Sequence, residues 1–311
     1  MCYVVTGGCG FIGSNFVNML TKTTDSNIIV LDNMTYAADE NNINKCDRVR
    51  VIKTDIGEQS SVLDDIFAHN NVLGIFHFAA ESHVDNSITG PKIFVDTNLV
   101  GTFNLLDTLR QRDWGGRFVH ISTDEVYGAL SEDGPSFLEG KLLEPNNVYS
   151  ATKAGSDLLV RAYNKTYGLN VVTTRCCNNY GPRQDKEKLL PKVISNAING
   201  VKIPIYGRGD NVREWIYVED HCRAIWEIFK LGESGEIYNI GSGMEITNLE
   251  LAKKVLSSID KPYSLIKHVT DRLGHDFRYS IDSNKFQNLT HNFDFTDFDE
   301  GLKKTIQWYS K

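Results

Sequence analysis

The stretch Thr6-Gly-Gly-Cys-Gly-Phe-Ile-Gly13 follows the apolar run Tyr3-Val-Val-Thr6 and leads into the helical pattern Ser14 to Leu20. Glycines at 7, 10 and 13 allow a tight turn, close approach of the backbone to an anion, and close packing of the next helix on the strand. The N-terminus of that helix offers unpaired N–H groups to a diphosphate. A glycine string alone is weak evidence; its position between a strand and a helix gives it weight. Asp32 closes the next apolar run, Asn27-Ile-Ile-Val-Leu31, about 20 residues beyond the last glycine, where a carboxylate binds ribose hydroxyls and repels a 2′-phosphate. Together they predict a dinucleotide site that prefers NAD to NADP, although Asn33 and Thr35, beside Asp32, keep NADP as the alternative. The bland alternative is a simple turn followed by a strand-capping aspartate.

Further apolar runs recur at Val49-Arg-Val-Ile52, Leu73-Gly-Ile-Phe-His-Phe78, Arg117 to Ile121 and Asn170-Val-Val-Thr-Thr174, with amphipathic stretches between them. The alternation predicts βαβ units and hence an α/β fold: a Rossmann-type doubly wound parallel sheet, buried on both faces. Asp55-Ile56 after the third run and Phe78-Ala79-Ala80 ending the fourth then lie along the crevice where such sheets bind ligands. After Cys176 the texture changes, with Asn-Asn-Tyr-Gly-Pro182, Gly207-Arg-Gly-Asp210 and Gly241-Ser-Gly243 breaking the pattern and a helical segment at Asn248 to Ser257. The expected division is an NAD-binding domain over 1–176 and a smaller C-terminal substrate-binding region over 177–311. The run Glu236-Ile-Tyr-Asn-Ile240 suggests that a segment near 211–240 returns to the first.

With 33 basic and 40 acidic residues in 311, the chain has a formal charge of -7 and no electrostatic footprint for nucleic acid. An anionic ligand must therefore meet positive charge placed locally. The six cysteines show no metal-type spacing and read as reduced thiols, so neither disulfides nor a metal site is expected. No basic leader with a cleavage site opens the chain, and no apolar run approaches a membrane span. The expected setting is the cytoplasm.

Two patterns suggest chemistry. Tyr149-Ser-Ala-Thr-Lys153 spaces a phenol and an ammonium four residues apart, on one face of a helix. A tyrosine that accepts a proton near neutrality needs its pKa lowered by roughly three units, about 4 kcal/mol, and Lys153 with a positively charged cofactor ring is the expected source. Ser122-Thr-Asp-Glu-Val-Tyr-Gly128 puts two acids, Asp124 and Glu125, side by side at the end of a presumptive buried strand. Either pattern alone is compatible with a solvated surface.

Gly7 to Gly13, Tyr149 with Lys153, and the strand-end Ser122-Thr123 together resemble the extended short-chain dehydrogenase/reductase superfamily over nearly the whole chain. Within it, Ala79-Ala-Glu-Ser-His-Val-Asp85, Ser122 to Gly128, Glu187-Lys-Leu-Leu-Pro191, Asn211-Val-Arg-Glu-Trp-Ile-Tyr-Val-Glu-Asp220 and Asp271-Arg-Leu-Gly-His275 are similar to the nucleotide-sugar 4,6-dehydratases acting on dTDP-glucose, with the UDP-glucose enzymes very close. The resemblance implies oxidation of sugar C4 with Tyr149 as proton acceptor and Thr123 on O4, then loss of water across C5 and C6 with Glu125 as base and Asp124 as acid. Like charges close together and partly desolvated separate two carboxyl pKa values, which is what such a couple requires. An epimerase or decarboxylase of the superfamily needs only the Tyr149–Lys153 pair; a non-catalytic NAD-binding sensor needs neither.

The resemblance further implies NAD contacts at Gly7, Gly10, Phe11, Ile12, Gly13, Asp32, Asn33, Thr35, Asp55, Ile56, Phe78, Ala79, Ala80, Ser82, Thr97, Ser122, Tyr149, Lys153, Cys176 and Asn179. Nucleotide-sugar contacts are implied at Ser82, Thr123, Asn178, Lys188, Leu189, Pro204, Ile205, Tyr206, Arg213, Asn248, Arg272 and His275, with the two arginines suited to a diphosphate. A homodimer and a place in rhamnose-type deoxysugar synthesis come with the family. Cys177 stands where the family usually has serine, Arg208 where Gly-Asp-Gly is common, and Leu273 where proline is usual. The last two bear on the nucleotide base more than on the reaction.

Overall fold

The computed structural model describes residues 1–58, 61–271 and 275–310. Its strands are β1 (Cys2–Thr6), β2 (Asn27–Asp32), β3 (Val49–Lys53), β4 (Val72–His77), β5 (Arg117–Thr123), β6 (Val171–Cys176), β7 (Asn178–Tyr180), β8 (Ile203–Tyr206), β9 (Val212–Tyr217), β10 (Ile237–Ile240), β11 (Glu245–Thr247), β12 (Ile266–Val269) and β13 (Arg278–Tyr279). Among the described residues, seven of them form one parallel sheet in the order β10-β6-β5-β4-β1-β2-β3. The order reverses between β1 and β4, and that switch point opens a crevice at the carboxyl ends of the strands.

The apolar runs are continuous because alternate residues feed two cores. Tyr3, Val5, Ile28, Val30, Phe76, Val119 and Val172 point to one face; Val4, Ile29, Leu31, Ile75, Phe118 and Val171 point to the other. Helices α1 (Phe11–Thr23), α2 (Val62–His69), α3 (Val84–Thr89), α4 (Pro91–Phe94), α5 (Gly101–Gln111), α6 (Val148–Tyr167), α7 (Leu189–Ile198), α8 (Val218–Leu231), α9 (Asn248–Ser258), α10 (Asn284–Thr290) and α11 (Phe298–Tyr309) complete the fold. Phe16, Val17 and Leu20 of α1 and Ile225 and Ile228 of α8 cover the first face; Leu105, Leu106 and Leu109 of α5 and Val160 and Tyr163 of α6 cover the second. Burying a side chain such as Phe16 or Leu106 contributes about 1.5–3 kcal/mol.

At Cys177 the chain leaves the large sheet, because β7 pairs with β9 instead. The stretch 211–240 then divides: β9 belongs to a small sheet with β7, β11 and β13, whereas α8 packs on α1 and β10 closes the large sheet beside β6. Helices α7, α9 and α11 gather around Ile203, Ile205, Trp215 and Tyr217 in a third core. Among the described residues no helix is long and apolar enough to cross a membrane.

The glycine turn is fixed by space. Gly7 has a φ of +68°, and a Cβ there would come 2.6 Å from the Ala79 amide nitrogen. A Cβ on Gly13, inside α1, would come 2.2 Å from the Gly7 carbonyl oxygen, whereas on Gly10 its nearest contact would be 3.4 Å. Gly13→Ala therefore lowers the melting temperature, by the equivalent of about 1–3 kcal/mol of overpacking, while Gly10→Ala leaves it close to wild type. Thermal denaturation of the two variants checks this, and equal melting temperatures would contradict it.

Candidate active site

The crevice is a cavity of about 310 Å³ whose wall draws on every strand end around the switch point. The glycine turn gives Gly7, Gly10, Phe11, Ile12 and Gly13; the loop after β2 gives Asp32, Asn33 and Thr35; that after β3 gives Asp55 and Ile56; that after β4 gives Phe78, Ala79, Ala80 and Ser82. Thr97 enters from a π-helical turn, Val95–Val100, between α4 and α5. Ser122, Thr123, Asp124 and Glu125 come from the end of β5, Tyr149 and Lys153 from α6, Cys176, Asn178 and Asn179 from the exit of β6, and Lys188 from the start of α7. The structure thus brings together every residue expected at the cofactor, along with Ser82, Thr123, Asn178 and Lys188 of those expected at the substrate.

The remaining expected residues that the structure describes are in the smaller lobe and do not line this wall. Leu189 opens α7 and Asn248 opens α9. Pro204, Ile205 and Tyr206 lie on β8, where Ile205 is buried in the third core and Tyr206 is exposed. Arg213 is buried over the Tyr279 ring, its guanidinium donating to the carbonyls of Val212, Asp276 and Phe277. His275 bonds Asp271 through Nδ1 at 2.7 Å, with Tyr206 edge-on to its ring. Arg272 and Leu273 lie outside the described residues.

At the adenosine end the Cys9 amide donates to Asp32 Oδ2 and the Met34 amide to Oδ1, each at 2.9 Å, so the carboxylate is aimed by the turn itself. Asn33 donates to Asp55 at 2.7 Å. At the other end β5 runs into a tight turn, Asp124–Tyr127, capped by the Thr123 hydroxyl, which accepts from the Glu125 amide at 3.3 Å. That turn buries Asp124 and leaves Glu125 half-buried. Thr123 Oγ1 donates to Asp124 Oδ1 at 3.2 Å, and among the described residues Asp124 Oδ2 is a buried oxygen with no hydrogen-bond partner. Burial first, then the Glu125 and Glu214 charges, hold Asp124 well above the usual carboxylate range. Glu125 accepts from Asn147 at 3.5 Å, the residue whose side chain also caps α6, so the helix start and the acid pair are tied together.

Tyr149 and Lys153 project from the buried face of α6. Lys153 Nζ donates to the Ile121 carbonyl at 2.8 Å, and burial lowers the ammonium to about 8. Burial, then Glu125 and the Cys176 side chain, push the Tyr149 phenol well above the ordinary tyrosine value, and Thr123 opposes them. The expected lowering counts on a cationic cofactor ring beside the phenol as well as on Lys153, whose ammonium bonds the Ile121 carbonyl. A cationic ligand in the cavity would supply the missing field.

Sequence reading missed two groups. Tyr36, Glu81 and Glu187 also line the cavity, Glu81 being raised by burial and by Glu187 and Asp55. Glu81 and Glu187 stand inside quoted motifs, so the signal was there but unassigned. Behind Lys153, His77, His120, Asp157 and Arg175 form a buried polar cluster. Its one sequence signal was Asp157 a helical turn after Lys153. Among the described residues no group of three His, Cys, Asp or Glu side chains could hold a metal ion.

Residues 4–305 match the family model described as GDP-mannose 4,6 dehydratase. The low-salt glycan biosynthesis protein Agl12 of Haloferax volcanii is 48% identical, over 99% of this chain and 98% of its own length. A dTDP-glucose 4,6-dehydratase of Streptomyces niveus is 44% identical, over 99% of this chain and 93% of its own. The crystal structure of a double mutant of DesIV, a dTDP-glucose 4,6-dehydratase from Streptomyces venezuelae with NAD and DAU bound, superposes with a TM-score of 0.95 at 44% identity, covering 100% of this chain and 97% of that one.

The buried acid sets a pH dependence. Unfolded, Asp124 releases its proton near 3.8; folded, it retains it to higher pH. The native state then binds more protons than the unfolded one between these two values, and stability falls as pH rises across that window. Asp124→Asn lacks this loss. It melts at a higher temperature than wild type at pH about 8, with the gap closing as pH falls below the native titration toward the unfolded value of 3.8. Melting curves across that range check this; a gap independent of pH would show Asp124 already ionised in the fold.

Proposed function

The chain belongs to the GDP-mannose 4,6-dehydratase family, and on that premise we propose that it converts dTDP-glucose or UDP-glucose to the 4-keto-6-deoxy sugar with NAD as its resident cofactor. The observation that carries this reading is the buried Asp124 next to half-buried Glu125, in a wall that also presents Tyr149 and Lys153. An epimerase or decarboxylase has no use for two carboxyls in unlike protonation states, and a cofactor-binding sensor has no use for any of the four.

The residues fit NAD: a turn that admits no Cβ at Gly7 or Gly13, a carboxylate aimed by the Cys9 and Met34 amides, and a phenol that calls for a cationic ring beside it. NAD bound there would supply the acceptor for the C4 hydride and give it back at C6, with Glu125 returning its proton to C5. Tyr149 takes the proton of the C4 hydroxyl, and Thr123 hydrogen-bonds that oxygen. The ketone acidifies the C5 hydrogen, which Glu125 removes. Asp124 gives its proton to the C6 hydroxyl, which leaves as water. Burial supports Asp124 as the acid, since a desolvated carboxyl favours its neutral form. Arg213, Arg272 and Lys188 are assigned to the diphosphate, and Asn178, Leu189, Pro204, Ile205, Tyr206, Asn248 and His275 to the rest of the nucleotide sugar. Ile205 can contribute only through its backbone, given its burial.

In this reading residues 1–176, with the segment returning near 211–240, hold the cofactor, and the rest of 177–311 holds the nucleotide. The compartment is the cytoplasm, whose reducing conditions suit cysteines that carry no disulfide among the described residues. The chain works as a homodimer through the exposed apolar side chains Ile93, Val95, Val100 and Phe103 around α4 and α5 and Leu158 of α6. Light scattering then gives twice 35.0 kDa, and Leu158→Glu shifts the protein toward monomer; a monomeric wild type would reject the assembly.

Incubation with each of the two sugars tests the reaction: an alkali-labile keto product from at least one is expected, and none from either would refute it. Glu125→Gln should still bind substrate with affinity within about tenfold, yet lose both product and exchange of the C5 hydrogen with solvent deuterium. Undiminished exchange would remove Glu125 from the role of base.

A further inference from the structure

One helical turn beyond Lys153 on α6 is Asp157, for which the proposed reaction has no use. The four-residue spacing puts both side chains on one face of the helix, and both are buried against β5 and β6. Asp157 Oδ2 accepts from Arg175 Nε of β6 at 2.8 Å, and Oδ1 lies 3.2 Å from His120 Nε2 of β5. Arg175 is clamped in turn, its guanidinium 4.7 Å over the Tyr127 ring and donating to the Glu139 carbonyl. Beyond His120, the His77 ring of β4 stands 5.4 Å away, fixed between the hydroxyls of Thr6 and Thr102.

Stability alone does not explain such a cluster, because a buried ion pair is often no better than apolar side chains of the same volume. Its neighbour suggests another purpose. We infer that Asp157, held by Arg175 and His120, is a positioning residue whose fixed negative charge keeps the Lys153 ammonium protonated in the desolvated wall of the cavity.

The charges around Lys153 favour this. From β4, His77 is neutral, burial holding it well below the usual histidine value. From β5, His120 is lowered to about 4 by burial and by Lys153 itself. From β6, Cys176 is a neutral thiol pushed up to about 12 by burial, and the Arg175 guanidinium, bonded to Oδ2 of Asp157, opposes part of that carboxylate's field. On α6, Tyr149 is held neutral by burial. Asp124 and Glu125, beyond the end of β5, act on Tyr149 but are not among the groups that move Lys153. Asp157 is the first of those opposing the loss of its proton. It can do so because, although burial alone would raise it, His120 and Arg175 hold it ionised down to about 2.

The test is the titration of Lys153 in the full chain labelled with 13C at lysine Cε, its resonance assigned by its absence from Lys153→Met. Wild type should titrate near the value of about 8, and Asp157→Asn lower by about one unit or more. If Asp157→Asn fails to fold because Arg175 is left without its anion, Asp157→Asn combined with Arg175→Met removes the buried pair together and should show a downward shift of the same sign but smaller, since a positive charge leaves with the negative one. Asp157→Glu should restore the wild-type midpoint. A Lys153 midpoint that stays at the wild-type value in the neutral variants overturns the inference. In the dehydration assay the alkaline limb of Asp157→Asn should move to lower pH by the same amount, whereas a uniform loss at every pH would mark a merely structural role. Only that second arm rests on the dehydratase reading; a wild type without product counts against that reading, and the titration still decides this one.

Discussion

The hydrogen bond from the Lys153 ammonium to the Ile121 carbonyl, 2.8 Å long and wholly buried, is the contact around which the site is arranged. A hydrogen bond to a charged group contributes about 1.5–3 kcal/mol, and this one seats α6 against the carboxyl end of β5. Tyr149, one turn earlier on the helix, is thereby brought to the place where Ser122 and Thr123 end the strand. The cap of the same helix, Asn147, reaches Glu125. One buried contact therefore brings phenol, hydroxyl, acid and base into one wall.

Desolvation then sorts those groups. Asp124 and Glu125 are adjacent in sequence and both line the cavity, but the turn after β5 buries the first and leaves the second half-buried, so burial raises Asp124. The same burial raises Tyr149 and lowers Lys153, each away from its charged form. With Glu81 and Glu187 nearby, the wall is short of positive charge. A cationic cofactor ring and a substrate diphosphate met by arginines make up what the chain leaves out.

The smaller lobe is joined to this wall by a few directed contacts. Arg183, held at a φ of +73°, donates to the Asn42 carbonyl and to Asn15 of α1, and its guanidinium stacks on Trp308 of α11. Asn15 returns a bond to the Pro182 carbonyl, and Gln184 and Tyr309 continue the seam. A left-handed non-glycine backbone costs of order 1–3 kcal/mol, and the surrounding bonds are what hold it. The loop so held delivers Gln184, Asp185, Glu187 and Lys188 to the cavity mouth.

The apolar runs, the glycine turn and Asp32 were legible in the sequence because each depends on neighbours a few residues away. Period-two alternation into two cores gives continuous strands, a missing Cβ permits the Gly7–Gly13 approach, and α6 brings Tyr149 and Lys153 to one face whatever lies beyond it. The direction of a pKa shift was not legible, since it depends on which side chains from other elements close over the group. For that reason the burial that raises the Tyr149 phenol was not foreseen, and the His77, His120, Asp157 and Arg175 cluster, drawn from β4, β5, α6 and β6, went unseen. The sequence by itself determined the sheet, the cofactor turn and the inventory of reactive groups, because local geometry and hydrophobic period carry those. Tertiary packing alone decided which of two adjacent carboxyls keeps its proton, because desolvation is imposed by atoms distant in the chain.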